Sequence, residues 1–92
     1  MDVLKELYGV VIDRILRKPP ESYTASIVDK GRAYVAKKFG EEAVEVVIAS
    51  MAESKERTIS EVADLLYHLI VLLAVNGITL DDVYEELRRR RK

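Results

Sequence analysis

The sequence predicts an all-α fold, a helical bundle of four to five helices that is completed by dimerisation. Apolar residues recur at helical spacing along most of the 92-residue chain, and no segment shows the alternation of a half-buried strand. Residues 65–75 are apolar around almost the whole helix circumference, and the other short helices can scarcely enclose such a helix. We therefore expect residues 1–92 to form one domain that assembles as a homodimer or dimer-based oligomer. The alternative is a monomer whose central helix is enclosed by the other four.

The first half of the chain is predicted to form two helical segments. Apolar residues at helical spacing place the first helix at residues 2–17, and the two prolines that follow should end it, because proline lacks a backbone donor. Ser22 or Thr24 can cap a second segment that runs to about residue 38. Gly31 should interrupt that segment.

The second half is predicted to contain three further helices. Gly40 should separate the first of them from the preceding segment, and the polar stretch 53–58 should connect it to the next. Asn76 and the glycine after it form a typical helix end, and Thr79 can cap the last helix. The three helices are predicted at residues 41–51, 59–75 and 80–90.

Composition and charge exclude several classes of protein. With 49% hydrophobic and 34% charged residues the chain is globular rather than disordered, and without cysteine it has no disulfide. A formal net charge of -1 gives no general attraction to nucleic acids or acidic membranes. The basic run at residues 88–92 suits a helix C-terminus and has no matching patch elsewhere. We expect a soluble cytoplasmic protein that binds neither nucleic acid nor membrane.

Two pairs of acidic residues lie at the edge of apolar helical segments. Glu42 and Glu45 are three residues apart, and Glu61 and Asp64 repeat that spacing on the next long helix. Because a short connector favours antiparallel neighbours, four carboxylates can converge between the two helices. A hard divalent cation such as Mg²⁺ would offset their repulsion. The alternative is that the two glutamates are solvated and that Asp64 pairs locally with His68.

Three stretches of the sequence resemble the phosphoribosyl-ATP pyrophosphatase family, within the all-α nucleoside triphosphate pyrophosphohydrolases. They are SYTAS (22–26), KKFGEEAVEVVIAS (37–50) and EVADLLYHLIVLLA (61–74). The resemblance covers nearly the whole chain, and its SYTAS and DLLYH elements are more specific than the acidic signature ExxE…ExxD.

The resemblance implies Mg²⁺-dependent hydrolysis of phosphoribosyl-ATP to phosphoribosyl-AMP and pyrophosphate, the second step of histidine biosynthesis. It implies that the catalytic acids are Glu41, Glu42 and Glu45, and that the metal ligands are Glu42, Glu45, Glu61 and Asp64. Glu41 is then a candidate for the base that activates water or for a group outside the ligand set. A solvated glutamate of the first helical turn is an equal alternative.

The substrate is expected to contact a further set of polar and aromatic residues. Lys37 and Lys38 precede the acids in a predicted bend, from which they could reach a triphosphate. Each of these side chains also has an ordinary structural explanation, as a helix cap, a solvated face or a core histidine. The complete predicted set is Ser22, Tyr23, Thr24, Lys30, Arg32, Lys37, Lys38, Tyr67 and His68.

Two other functions fit parts of this pattern. A house-cleaning pyrophosphatase for (deoxy)nucleoside triphosphates would keep the fold and the metal but change the substrate. A helical dimerisation module would use the acids only as surface charge. Metal dependence distinguishes the second of these from an enzyme, and substrate preference distinguishes the first.

Overall fold

Residues 2–91 are described by the computed structural model of the chain, and every regular element in that span is an α-helix. The helices are α1 (Val3–Arg17), α2 (Tyr23–Asp29), α3 (Arg32–Ala52), α4 (Lys55–Val75) and α5 (Leu80–Arg90). The predicted all-α fold is confirmed. Met1 and Lys92, the last residue of the basic run, lie outside the described residues.

Helix α1 begins and ends close to its predicted bounds. The Asp2 side chain caps it by accepting hydrogen bonds from the backbone N–H groups of Leu4 and Lys5 at 3.0 and 3.2 Å. Lys18 ends it in the left-handed conformation, with φ of 50°, directly before the two prolines. The chain can therefore turn sharply into α2.

The predicted break at Gly31 is confirmed, but the predicted break at Gly40 is wrong. Gly31 lies between α2 and α3 with φ of 98°, a conformation that favours glycine. Gly40 instead lies inside α3, which continues to Ala52. Lys37 and Lys38 are consequently on a continuous helix and not in a bend. A glycine in a helix costs only about 1 kcal/mol relative to alanine, and the packing of α3 along α4 outweighs that cost.

The connector between α3 and α4 is shorter than predicted. The Ser54 hydroxyl accepts a hydrogen bond from the Arg57 N–H at 3.1 Å, so α4 begins at Lys55 rather than at residue 59. Helix α5 has its predicted bounds, and Thr79 and Asp82 cap it reciprocally at 2.9 and 3.1 Å.

Helices α3 and α4 form a long antiparallel hairpin that provides most of the tertiary contacts. Helices α1 and α2 pack against one side of it, and α5 packs against α1. A Tyr8 hydroxyl bond to the Ile78 carbonyl and a Tyr84 hydroxyl bond to Asp2, both 2.9 Å, attach the α5 region to α1. The buried core consists of Val11, Ile27, Val35, Ile70, Val71 and Leu80.

The two hairpin helices expose large apolar side chains in the single chain. We call this set the hairpin apolar face, and it consists of Val44, Val47, Ile48, Met51, Ile59 and Val62. By length and composition α4 is also the one helix within residues 2–91 that could cross a membrane. In the fold it is the central helix of the bundle, in contact with α1, α2 and α3.

Candidate metal and nucleotide site

An open cavity of about 500 Å³ lies between α3 and α4, near the middle of α3. Its lining is almost entirely acidic and consists of Lys38, Glu41, Glu42, Glu45, Glu61 and Asp64. The antiparallel hairpin creates this arrangement, because it brings the acidic pair of α3 beside the acidic pair of α4. Two acidic pairs that are separated in sequence thus face the same space.

Three of these carboxylates form a tight group. Glu42, Glu61 and Asp64 each present one oxygen, and the three oxygens lie within 4.8 Å of one another. Glu45 lines the same cavity but is not part of that group. Carboxylates at this separation repel, and oxygen donors of this type suit a hard divalent cation. Glu42, Glu61 and Asp64 are therefore arranged so that they could hold a metal ion, and Glu45 is a fourth acid within the cavity.

Glu61 is the most buried of these acids, and Arg57 compensates part of its charge. The Glu61 side chain is 10% exposed, and its Oε2 accepts a hydrogen bond from the Arg57 guanidinium at 2.6 Å. Arg57 also bonds to Glu53 at 3.4 Å, one turn earlier. Sequence reasoning missed Arg57, although its i,i+4 spacing to both glutamates is a recognisable pattern.

Lys38 provides positive charge at the edge of the cavity. Its ammonium lies 3.3 Å from Glu41, and this hydrogen bond is the main cause of a raised pKa of Lys38. Lys37 is 4.0 Å from the same carboxylate. Glu41 is therefore held by two lysines at the rim of the cavity. Lys38 is charged at neutral pH and is able to contact an anion.

A cluster of polar aromatic side chains connects α2 to α4 beside the cavity. His68 is buried, and its Nδ1 lies 2.8 Å from the backbone carbonyl of Asp64. Since a carbonyl can only accept, Nδ1 carries the proton and Nε2 is left to accept from the Tyr23 hydroxyl at 3.0 Å. Asp64 thus contacts His68 through its backbone rather than its carboxylate. Tyr67 and Thr24 share a further hydrogen bond.

Burial changes the acidity of both tyrosines in this cluster. It is the main cause of a raised pKa of Tyr23 and of Tyr67. The charges of Lys38 and Glu42 are close enough to affect the pKa of Tyr23 in opposite directions. Both hydroxyls are therefore protonated at neutral pH and donate or accept hydrogen bonds as neutral groups.

Three further predicted contact residues, Ser22, Lys30 and Arg32, do not line the cavity. Ser22 caps α2 by accepting from the Ala25 N–H at 3.1 Å. The Lys30 ammonium lies 4.7 Å from the centre of the Tyr34 ring. The Arg32 guanidinium donates to the Asn76 side chain at 3.3 Å, and residue 76 lies roughly 18 Å along the axis of α4 from residue 64. Arg32 thus lies at the end of the hairpin that is away from the connector between α3 and α4.

Comparison with known proteins places the chain in a family. Residues 4–91 match the family model described as phosphoribosyl-ATP pyrophosphohydrolase. The chain belongs to this family. It is 62% identical over 91 residues to a phosphoribosyl-ATP pyrophosphatase of Saccharolobus islandicus, with 99% of this chain and 97% of the relative covered. Similarly named proteins of Metallosphaera sedula and Saccharolobus solfataricus are 60% and 59% identical, with 99% of this chain and 98% and 97% of the relatives covered.

Proposed function

We propose that this chain hydrolyses phosphoribosyl-ATP to phosphoribosyl-AMP and pyrophosphate, the second step of histidine biosynthesis, with Mg²⁺ as cofactor. The observation that carries the proposal is the group of three carboxylate oxygens within 4.8 Å, in a chain of this family. A biosynthetic enzyme of this kind would act in the cytoplasm. The house-cleaning alternative would share the cavity and differ in its substrate.

The acidic cavity supplies the chemistry in this proposal. Bound Mg²⁺ would neutralise charge on the triphosphate and on the departing pyrophosphate. Glu42, Glu61 and Asp64 would hold the ion, with Glu45 completing the predicted ligand set. These side chains would thereby fix the position of the scissile phosphoanhydride bond relative to the protein.

Two residues at the rim would act on the substrate directly. Lys38 is charged and lines the cavity, so its ammonium can bind a phosphate oxygen. Glu41 lies beside it and is our candidate for the carboxylate that orients or deprotonates the attacking water. Its pairing with Lys38 and Lys37 would hold its carboxylate at the cavity entrance.

Assembly is part of the proposal because the single chain leaves the hairpin apolar face uncovered. Its most exposed members include Met51 at 82% and Val47 at 61%, on the helix that carries Glu42 and Glu45. A second copy packed on this face would remove these side chains from water. It would also bring the hairpins of two chains together close to both acidic cavities.

The test is pyrophosphate release from phosphoribosyl-ATP and from a panel of nucleoside triphosphates, with Mg²⁺ or with a chelator. We expect release from phosphoribosyl-ATP that requires the metal. Glu61→Gln should lower it by orders of magnitude, whereas Glu56→Gln, an exposed acid outside the cavity on the same helix, should not. Equal use of ATP or a deoxynucleotide would favour the house-cleaning alternative. No release from any substrate would contradict an enzymatic role.

A further inference from the structure

The aromatic cluster beside the cavity includes a tyrosine that is exposed and yet fixed in place. Tyr23 is 48% exposed, but its hydroxyl is bound to His68 at 3.0 Å. Its ring also contacts the rings of Tyr67 and His68, with centroids 6.1 and 5.8 Å away. An exposed aromatic ring held at one edge by a hydrogen bond and supported by two further rings is suited to contact a planar ligand.

His68 has no nitrogen left for a ligand. Nδ1 donates to the Asp64 carbonyl and Nε2 accepts from Tyr23, and the residue is only 4% exposed. Its interactions connect α2 to α4 at the turn that follows Asp64. His68 therefore acts on a bound substrate only through the groups that it holds.

We infer that Tyr23 provides the aromatic face on which the adenine ring of the substrate stacks, and that His68 is the positioning residue that holds this ring. The inference rests on the proposed function and assigns the base-binding part of the same site. In this arrangement the acids bind the metal and triphosphate, and the nucleobase extends from the cavity toward α2. Proximity of Tyr23 to this site is supported by the effects of Lys38 and Glu42 on its pKa.

The experiment compares ligands with and without the base. Phosphoribosyl-AMP contains the adenine ring and pyrophosphate does not, so their affinities, measured by calorimetry with Mg²⁺, separate the two parts of the site. Stacking of a base on an aromatic ring contributes enough for Tyr23→Leu to weaken phosphoribosyl-AMP binding roughly tenfold. Pyrophosphate binding should change by less than about twofold on the same scale. In turnover, KM for phosphoribosyl-ATP should rise more than kcat falls.

Milder substitutions test the role of His68. Tyr23→Phe keeps the ring and removes its hydrogen bond to His68, so it should weaken phosphoribosyl-AMP binding less than Tyr23→Leu does. His68→Leu should have a similar effect, and the double variant should be no worse than either single one. His68→Gln should restore binding, because its amide oxygen can accept from the Tyr23 hydroxyl. Tyr84→Phe removes a comparable tyrosine hydrogen bond, to Asp2, and serves as the control.

These measurements distinguish a role of Tyr23 in binding the base from a role in the fold or the metal site. Equal weakening of phosphoribosyl-AMP and pyrophosphate would overturn the inference, since the cluster would then support the fold or the metal site. Unchanged phosphoribosyl-AMP binding in Tyr23→Leu would overturn it as well. Failure of wild-type protein to hydrolyse phosphoribosyl-ATP would contradict the proposed function, while the calorimetric comparison would still decide whether Tyr23 contacts the base.

Discussion

The Asp64→Asn variant should be more stable than wild type without metal and less stable than wild type with Mg²⁺. The Asp64 carboxylate lies within 4.8 Å of oxygens of Glu42 and Glu61. At that distance two unit charges repel by about 0.9 kcal/mol in water. Asp64 is exposed, so the value for water applies. Ordinary salt reduces the summed repulsion of Asp64 with Glu42 and Glu61 to about 1 kcal/mol. In chelator, Asp64→Asn should therefore melt about 4 °C or more above wild type.

Added Mg²⁺ should instead stabilise wild type more than the variant. At a concentration of about 100 times Kd it stabilises wild type by roughly 2.7 kcal/mol. The variant, which presents a neutral oxygen in place of a charged one, should gain almost nothing. Wild type would then be the more stable protein, and the variant's turnover should be lower by orders of magnitude.

The assay is thermal unfolding at one protein concentration, with chelator and across a Mg²⁺ titration. Glu56→Gln is the matched control, because it removes a charge from α4 outside the cavity and should keep the full metal response. The reasoning is refuted if Asp64→Asn melts below wild type in chelator and still responds to Mg²⁺ as wild type does.

Three further predictions concern assembly, substrate choice and pH. Wild type should sediment as a dimer or larger species at micromolar concentration, and Val47→Asp should shift it toward the monomer; a wild-type monomer of 10.5 kDa at all concentrations would contradict the expected assembly. Phosphoribosyl-ATP should exceed ATP in kcat/KM by at least about a hundredfold, and neutralising Lys30 and Arg32 should reduce that ratio, which steady-state kinetics would show. The hydrogen bond from the Lys5 backbone N–H is the main cause of a lowered pKa of Asp2, so the stabilisation that the Asp2 carboxylate provides is present at neutral pH and lost as the pH falls below about 4. Wild type and Asp2→Asn should accordingly differ in melting temperature at pH 7 and converge at low pH, and a constant difference would contradict the assignment.

The order and positions of the helices could be predicted from sequence, because apolar spacing and capping residues are local features. Apolar spacing and capping residues placed five helical segments, and the ends of α1 and α5 were accurate to about one residue. The prediction was wrong where tertiary packing overrides a local preference. Gly40 reads as a break in isolation, yet the long contact with α4 keeps α3 helical through it.

The candidate site could be predicted in part for a similar reason. Helical spacing and a short connector suffice to predict that the two acidic pairs converge, and the structure brings Glu42, Glu61 and Asp64 together. The hydrogen-bond partners of the side chains could not be predicted, because they depend on rotamers and on neighbours distant in sequence. The Tyr23 bond to His68 spans 45 positions, and neither residue alone indicates the other.

Gly40 also affects how closely a second copy of the chain could pack against α3. At about 100° per residue, it lies within about 60° of the direction of Val44, Val47 and Met51, so it extends the hairpin apolar face along α3. A methyl group at this glycine would meet nothing within 4 Å in the single chain. Alanine would therefore favour the isolated helix. In the proposed dimer, a second copy packed on this face would approach the backbone of α3 most closely at this glycine, and an alanine there would hold the two chains farther apart.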